Sequence, residues 1–312
     1  MNLEQLRSFL MVAQTGHFTK AATQLHVAQP TLSRQISTLE SELGSELFHR
    51  ARGNITLTAA GETLLPSAKR MLADAEHIRQ QMHELSGLRA GRVRLGAPPS
   101  LCISLVAQML VGYHRAYPGI ELHLYEAGSL DLLQELAGGG LDLALVVASE
   151  HEPNSFDSLT HLPLLGEELV VVSAPGTHLA PGIQELSLTE LAALPQIAFS
   201  TSYDLRAATM AAYRQLDLQP HIVLQGAQMD AALRFVESGL GVALVPAMVL
   251  LDRPELQICR LSSPVLTRTI ALAHRRDVAL SRAAAAMQEL ITDTAKQLAS
   301  QNHALRALQS SE

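Results

Sequence analysis

Two groups of side chains in this chain have the types and spacing to do chemistry. The first lies between Gln29 and Ser41, where Leu32, Ile36, Leu39 and Leu43 recur at helical spacing and leave Thr31, Ser33, Arg34, Ser37, Thr38 and Ser41 on the other sides. Short hydroxyls and one arginine form a face that can lie against a nucleic acid without obstruction and donate to phosphates and base edges. An ordinary solvated helix would more often carry Lys and Glu pairs at four-residue spacing. Arg50 and Arg52 follow, at the tip of a predicted hairpin whose strands are Leu47–Arg50 and Asn54–Leu57, where cations meet backbone phosphate.

The second group sits at the carboxyl ends of predicted strands, where open α/β sheets bind ligands against helix N-termini. It comprises Pro98-Pro99-Ser100 with Leu101 opening the next helix, Gly128-Ser129, Ala148-Ser149, Ser200-Thr201-Ser202 and Gln225-Gly226. Hydroxyls and free helix-end N–H groups suit a carboxylate or other small anion, although Ser and Thr are common N-caps whether or not anything binds. The set contains no arginine, which leaves the ligand's charge open. Phe199 and Tyr203 are candidates for an apolar wall, and core packing explains Phe199 equally well.

The elements that must position the first group are local. Asn2 is a cap for a helix carrying Leu3, Leu6, Phe9, Leu10 and Ala13 and ended by Gly16. A short helix is predicted to open with Thr19 as N-cap. His26, Val27 and Ala28 then turn the chain into a helix with Pro30 in its first turn and Gly44 at its end. Thr58 caps a long helix to about Leu88, interrupted only by Pro66. Within it Leu64, Ala68, Met71, Ala75, Ile78, Met82 and Leu85 hold a 3.5-residue repeat, the pattern of a coiled-coil seam and so of self-association. An amphipathic helix packed on its own domain would drift off that register.

From Gly91 the pattern changes to strand-like runs alternating with helices, which predicts parallel sheets with crossover helices in two lobes. No GxGxxG or GxxxxGK[ST] run follows a strand, and no GxSxG, Cys-His or acid-pair constellation is visible. Neither an enzyme nor a cofactor is expected. The 13 histidines lack ligand spacing and the two cysteines, Cys102 and Cys259, fit no metal knuckle or redox pair, so no metal is expected.

The run Phe18-Thr19-Lys20-Ala21-Ala22, Leu25, Gln29-Pro30-Thr31-Leu32-Ser33, Gln35-Ile36, Leu39-Glu40, Leu43-Gly44, Leu47-Phe48, Arg50, Leu57-Thr58, Gly61 resembles the DNA-binding segment of LysR-type transcriptional regulators. The block Val236 to Pro246 matches another recurrent stretch of that family, and the Pro98-Pro99-Ser100 turn is loosely similar to its nitrogen assimilation control subgroup. The resemblance implies an α/β protein with an N-terminal winged helix-turn-helix (1–58), a dimerisation linker helix (59–89), and a C-terminal effector-binding domain (90–300) similar to type 2 periplasmic binding proteins. Its first lobe would take about 91–161 and 267–300, its second 162–266, and 301–312 would be a tail that frays.

By the same resemblance Gln29, Pro30, Thr31, Ser33 and Arg34 would enter the major groove of double-stranded DNA at an interrupted dyad operator. Arg50 and Arg52 would hold phosphates or the minor groove. A small effector would bind between the lobes at Pro99, Ser100, Leu101, Gly128, Ser129, Ser149, Thr201, Ser202 and Gly226. The implied partners are the effector, a second copy in a homodimer or tetramer, and RNA polymerase. An effector-independent DNA-binding protein is the alternative.

Charge neither supports nor excludes this. The chain carries −7 overall, yet residues 1–90 hold nine Lys and Arg against eight Asp and Glu, and the remaining 222 hold 14 against 22. Affinity for a polyanion must then come from a few placed groups. No apolar run of about 18 residues occurs, and the N-terminus lacks a basic cap before an apolar stretch, so no membrane and a cytoplasmic location are expected.

Overall fold

In the computed structural model of the chain, residues 1–51, 54–84, 91–148, 156–180, 182–201, 203–302 and 304–308 are described, except for the side chains of 50, 51, 54, 83 and 84. They divide into one unit of Met1–Leu85 with Ala137–Gly140 and a larger one of Ser86–Leu136 with Leu141–Glu312.

The N-terminal unit runs α1 (Leu3–Thr15), α2 (Phe18–Gln24), α3 (Gln29–Leu43), β1 (Phe48–Ala51), β2 (Asn54–Leu57) and α4 (Ala59–Glu84). Asn2 and Gln5 form a reciprocal capping box on α1, and Gly16 and Gly44 close α1 and α3 in the left-handed conformation that glycine adopts without strain. Two local expectations change. α2 begins at Phe18 behind His17, which makes no side-chain cap bond, and not behind Thr19. Leu43, the last residue of α3, is 42% exposed and lies outside the core. Leu6, Phe9, Val12, Leu32, Ile36, Leu39, Leu47 and Phe48 form the core. Gly61 lies so close to this core that a Cβ there would sit 2.3 Å from the Leu47 carbonyl oxygen.

The second unit begins with β3 (Gly91–Ala97), α5 (Pro99–Leu101), a π-helical turn (Cys102–Val106), α6 (Ala107–Ala116), β4 (Ile120–Glu126), α7 (Ser129–Ala137) and β5 (Leu143–Ala148). There follow β6 (Leu159–Ser173), β7 (Glu185–Ser187), α8 (Leu188–Ala193), β8 (Gln196–Phe199), α9 (Asp204–Gln215), β9 (Ile222–Ala227), α10 (Met229–Glu237) and β10 (Ala243–Pro246). A 3-10 turn (Ala247–Leu250), β11 (Gln257–Ser263), β12 (Thr267–Arg275), α11 (Arg282–Gln301) and β13 (Leu305–Ala307) complete it.

β3 pairs in parallel with β4 and β5, as the alternation predicts. The sheet as a whole is mixed, because β12 runs antiparallel to both β5 and β6. β6 is the spine of both lobes. Its residues up to Glu168 pair with β12, and Leu169 to Ser173 pair with β10 and β11. We therefore set the first crossing between the lobes at Glu168–Leu169, several residues later than 162, and the return at β12. Two separate cores follow, one around Leu95, Leu105, Leu145 and Met287, the other around Val171, Leu188, Leu233 and Val245. The expected frayed tail is partly a strand, since β13 pairs with β6 through Leu305 and Glu167 and Leu305 is buried in the first core.

Candidate functional site

The N-terminal unit offers one face free of core duties. Leu32, Ile36 and Leu39 point inward from α3, while Gln29, Pro30, Thr31 and Arg34 are exposed. Ser33 is half-buried and accepts a hydrogen bond from Gln29 Nε2 at 3.2 Å, which orders the first turn of α3. His26, in the left-handed region at φ 54°, makes the turn that aims α3 away from α2. β1 and β2 form an antiparallel hairpin in which Arg50 pairs with Ile55, which puts Arg50 one residue from the end of the strand. The Arg50 side chain and all of Arg52 lie outside the described residues.

A second constellation lies between the lobes of the larger unit. Pro98, Pro99, Ser100 and Gly128 from the first lobe and Tyr203, Asp204, Leu205 and Met229 from the second surround a pocket, and Arg268 closes it from β12. The Arg268 side chain is 8% exposed and pairs with Glu167, itself 0% exposed, with Nε at 2.8 Å and Nη2 at 2.8 Å from Oε2. Its Nη1 donates to Ser100 Oγ at 2.9 Å. Glu167 Oε1 accepts the Met248 backbone N–H at 2.6 Å, so both carboxylate oxygens are occupied. Both charges sit at the crossing strands, where β6 and β12 pass from lobe to lobe.

Residues 86–296 match the LysR substrate binding domain family, and residues 3–62 match the bacterial regulatory helix-turn-helix protein, lysR family. The chain belongs to the LysR family of transcriptional regulators. It is 33% identical to a probable nitrogen assimilation transcriptional activator of Synechococcus elongatus, over 87% of this chain and 88% of that one. It is 31% identical to a probable hydrogen peroxide-inducible genes activator of Mycobacterium leprae, over 86% of each. A full-length OxyR variant of Pseudomonas aeruginosa shares the architecture, with a TM-score of 0.68, 26% identity and 95% of both chains covered.

In this LysR regulator Gln29, Pro30, Thr31, Ser33 and Arg34 lie together on α3, while among the described residues only three of the nine expected effector residues line the pocket. Pro99, Ser100 and Gly128 line the pocket, and Ser129 adjoins it through Asp204. Leu101 is fully buried in the first-lobe core, a packing position. Thr201 and Gly226 are exposed, with Gly226 at φ 84°, and neither lines the pocket. Ser149 and Ser202 lie outside the described residues. Phe199 belongs to the second-lobe core and stacks on Tyr203 with ring centroids 6.3 Å apart.

The residues that strand-end reasoning missed are Arg268, Glu167 and Asp204. The arginine absent from the sequence-derived set is supplied from 168 positions away by strand pairing. One signal was available: Arg268 interrupts a strand of apolar and small residues, and Glu167 and Glu168 interrupt another, a pattern that a buried ion pair produces. Among the described residues no three His, Cys, Asp or Glu are grouped to hold a metal ion, and no helix is long and apolar enough to cross a membrane.

Proposed function

We propose that this regulator reads its operator with Gln29, Pro30, Thr31, Ser33 and Arg34, braced on phosphate by Arg50 and Arg52, and that a small organic anion bound at Arg268 controls it. The observation that carries the effector reading is a buried guanidinium at the interlobe pocket, hydrogen-bonded to Ser100 and beside the buried phenol of Tyr203. Burial pushes the Tyr203 phenol up to about 12, with the Glu126 carboxylate adding to the effect, so the phenol keeps its proton and can donate to an oxyanion. The relatives are named as transcriptional activators, which supports a regulator. Thermal denaturation of the full chain across a panel of organic acids tests the effector. A ligand at 100 times its Kd should add about 2.7 kcal/mol of stability. Arg268→Leu should erase that shift, and a shift that survives it would remove the anion site from Arg268.

Arg34→Ala should weaken specific operator binding by roughly 1–3 kcal/mol for each half-site while leaving nonspecific binding largely intact. Fluorescence anisotropy at fixed salt reads both, and equal losses on operator and random DNA would make Arg34 a phosphate contact only.

The peroxide-inducible relative raises a second reading, in which a cysteine thiolate senses oxidant. Burial pushes the Cys102 thiol up to about 12 and raises Cys259 as well, so both are protonated and weakly nucleophilic at neutral pH. Hydrogen peroxide at a few equivalents should leave the intact mass unchanged. A +16 or +32 Da adduct on Cys102 within minutes, read by mass spectrometry as about one or two added oxygens, would reinstate oxidant sensing.

A further inference from the structure

A carboxylate of one lobe spans the cleft to a helix N-terminus of the other. Asp204, the first residue of α9 in the second lobe, reaches the N-terminus of α7 in the first, where its Oδ2 accepts from the Ser129 N–H at 3.2 Å and from Ser129 Oγ at 2.6 Å. Ser129 Oγ also accepts the Val147 N–H at 2.9 Å, so its single proton is committed to Asp204. A carboxylate at the start of a nine-residue helix is in the place where the helix favours negative charge.

An independent feature points to a ligand at the same spot. Tyr203, adjacent in sequence, is 9% exposed and its phenol oxygen has no hydrogen-bond partner, although it lines the pocket with Asp204, Gly128 and Arg268. A buried donor left unpaired costs about 1–3 kcal/mol, and an oxyanion entering the pocket would remove that cost. The pocket in this closed form is only about 20 Å³, room on the order of one water. Any larger effector must first part the lobes, and the Asp204–Ser129 pair spans them.

We propose that Asp204 is a tethered surrogate for an effector oxyanion. It fills the donor position at the N-terminus of α7 while the cleft is empty, and it is the group the effector must displace. The proposal rests on the anion reading of the cleft and adds its regulation. The effector carries one oxyanion able to replace the Asp204 carboxylate at Ser129, with a further polar group within reach of Tyr203 and Arg268. Exchange of one carboxylate for another keeps the closed and opened forms near in free energy, which allows a small ligand to shift their balance.

Formate, a bare carboxylate, tests this in the full-length protein. Asp204→Ala vacates the donor position, and formate at ~100 mM should raise its melting temperature by ~3 °C or more over chloride at equal ionic strength. Wild type, already filled by Asp204, should shift by less than ~1 °C, and Asp204→Ala combined with Ser129→Ala should not respond. Asp204→Asn, which keeps an acceptor in place, should behave as wild type, and Asp204→Ser substitutes if the alanine variant fails to fold. A response of Asp204→Ala no greater than chloride gives, or an equal response in the double variant, overturns the proposal. A ligand-induced shift that survives Arg268→Leu strikes only the assignment of the anion to Arg268, because the formate response depends on Ser129.

Discussion

If the chain pairs through α4, as we propose, replacing Ile78 and Met82 together by glutamate should leave monomers and cost operator affinity about 100-fold or more. Both side chains are 58% exposed on α4, although they continue the repeat of Leu64, Ala68, Met71 and Ala75. The early part of that stripe is spent within the unit: Leu64, Ala68 and Met71 pack against the winged-helix core. The later part has no such cover. Two apolar residues at four-residue spacing on an exposed helix face leave a surface suited to the same face of a second copy. Because neither side chain belongs to the core, the winged helix should melt unchanged, which separates lost pairing from lost folding. The affinity loss follows from linkage. A near-neutral module makes few phosphate contacts, and joining two modules makes the second half-site an intramolecular event worth 10²–10⁴ in apparent affinity. Sedimentation velocity with operator titration at one salt concentration checks it. A variant that remains dimeric, or binds within about threefold of wild type, would move the dimer contact elsewhere.

The exposed face of α3 was legible because every determinant is local. The apolar period, Pro30 in the first turn and Gly44 at the end all lie within 16 positions, and the helix they predict is the helix that forms. Leu43 shows the limit of that reasoning, since spacing cannot tell whether the last apolar residue still has a neighbour to pack on. The cleft was legible only in part. Pro99, Ser100 and Gly128 are marked by following strands, a rule of the chain's own order. Arg268 arrives by antiparallel pairing of β12 with β6, and no local pattern encodes which strand a strand will join. Asp204 is missed for another reason. It stands in the first turn of α9, and only the tertiary fold brings its carboxylate to the N-terminus of α7. β13 is three residues long, too short for any periodicity to register.

The strongest expected effect on stability falls on Glu167. Glu167→Ala should destabilise the larger unit by ~3–5 kcal/mol, because it strands the buried Arg268 charge and leaves the Met248 N–H without its acceptor. For a unit of this size that corresponds to a drop of roughly 10 °C in melting temperature. The pair need not be stabilising in itself. Desolvating two charges offsets most of their attraction, so Glu167→Met with Arg268→Met, of similar volume, should recover most of the loss. Calorimetry on the single and double variants gives the coupling, and a single-variant loss below about 1 kcal/mol would mean that water reaches the site. The recovered double variant is the informative one. Under the proposed effector reading Arg268 serves what it meets in the pocket, so that variant should stay folded, keep its operator affinity and lose its response to organic acids.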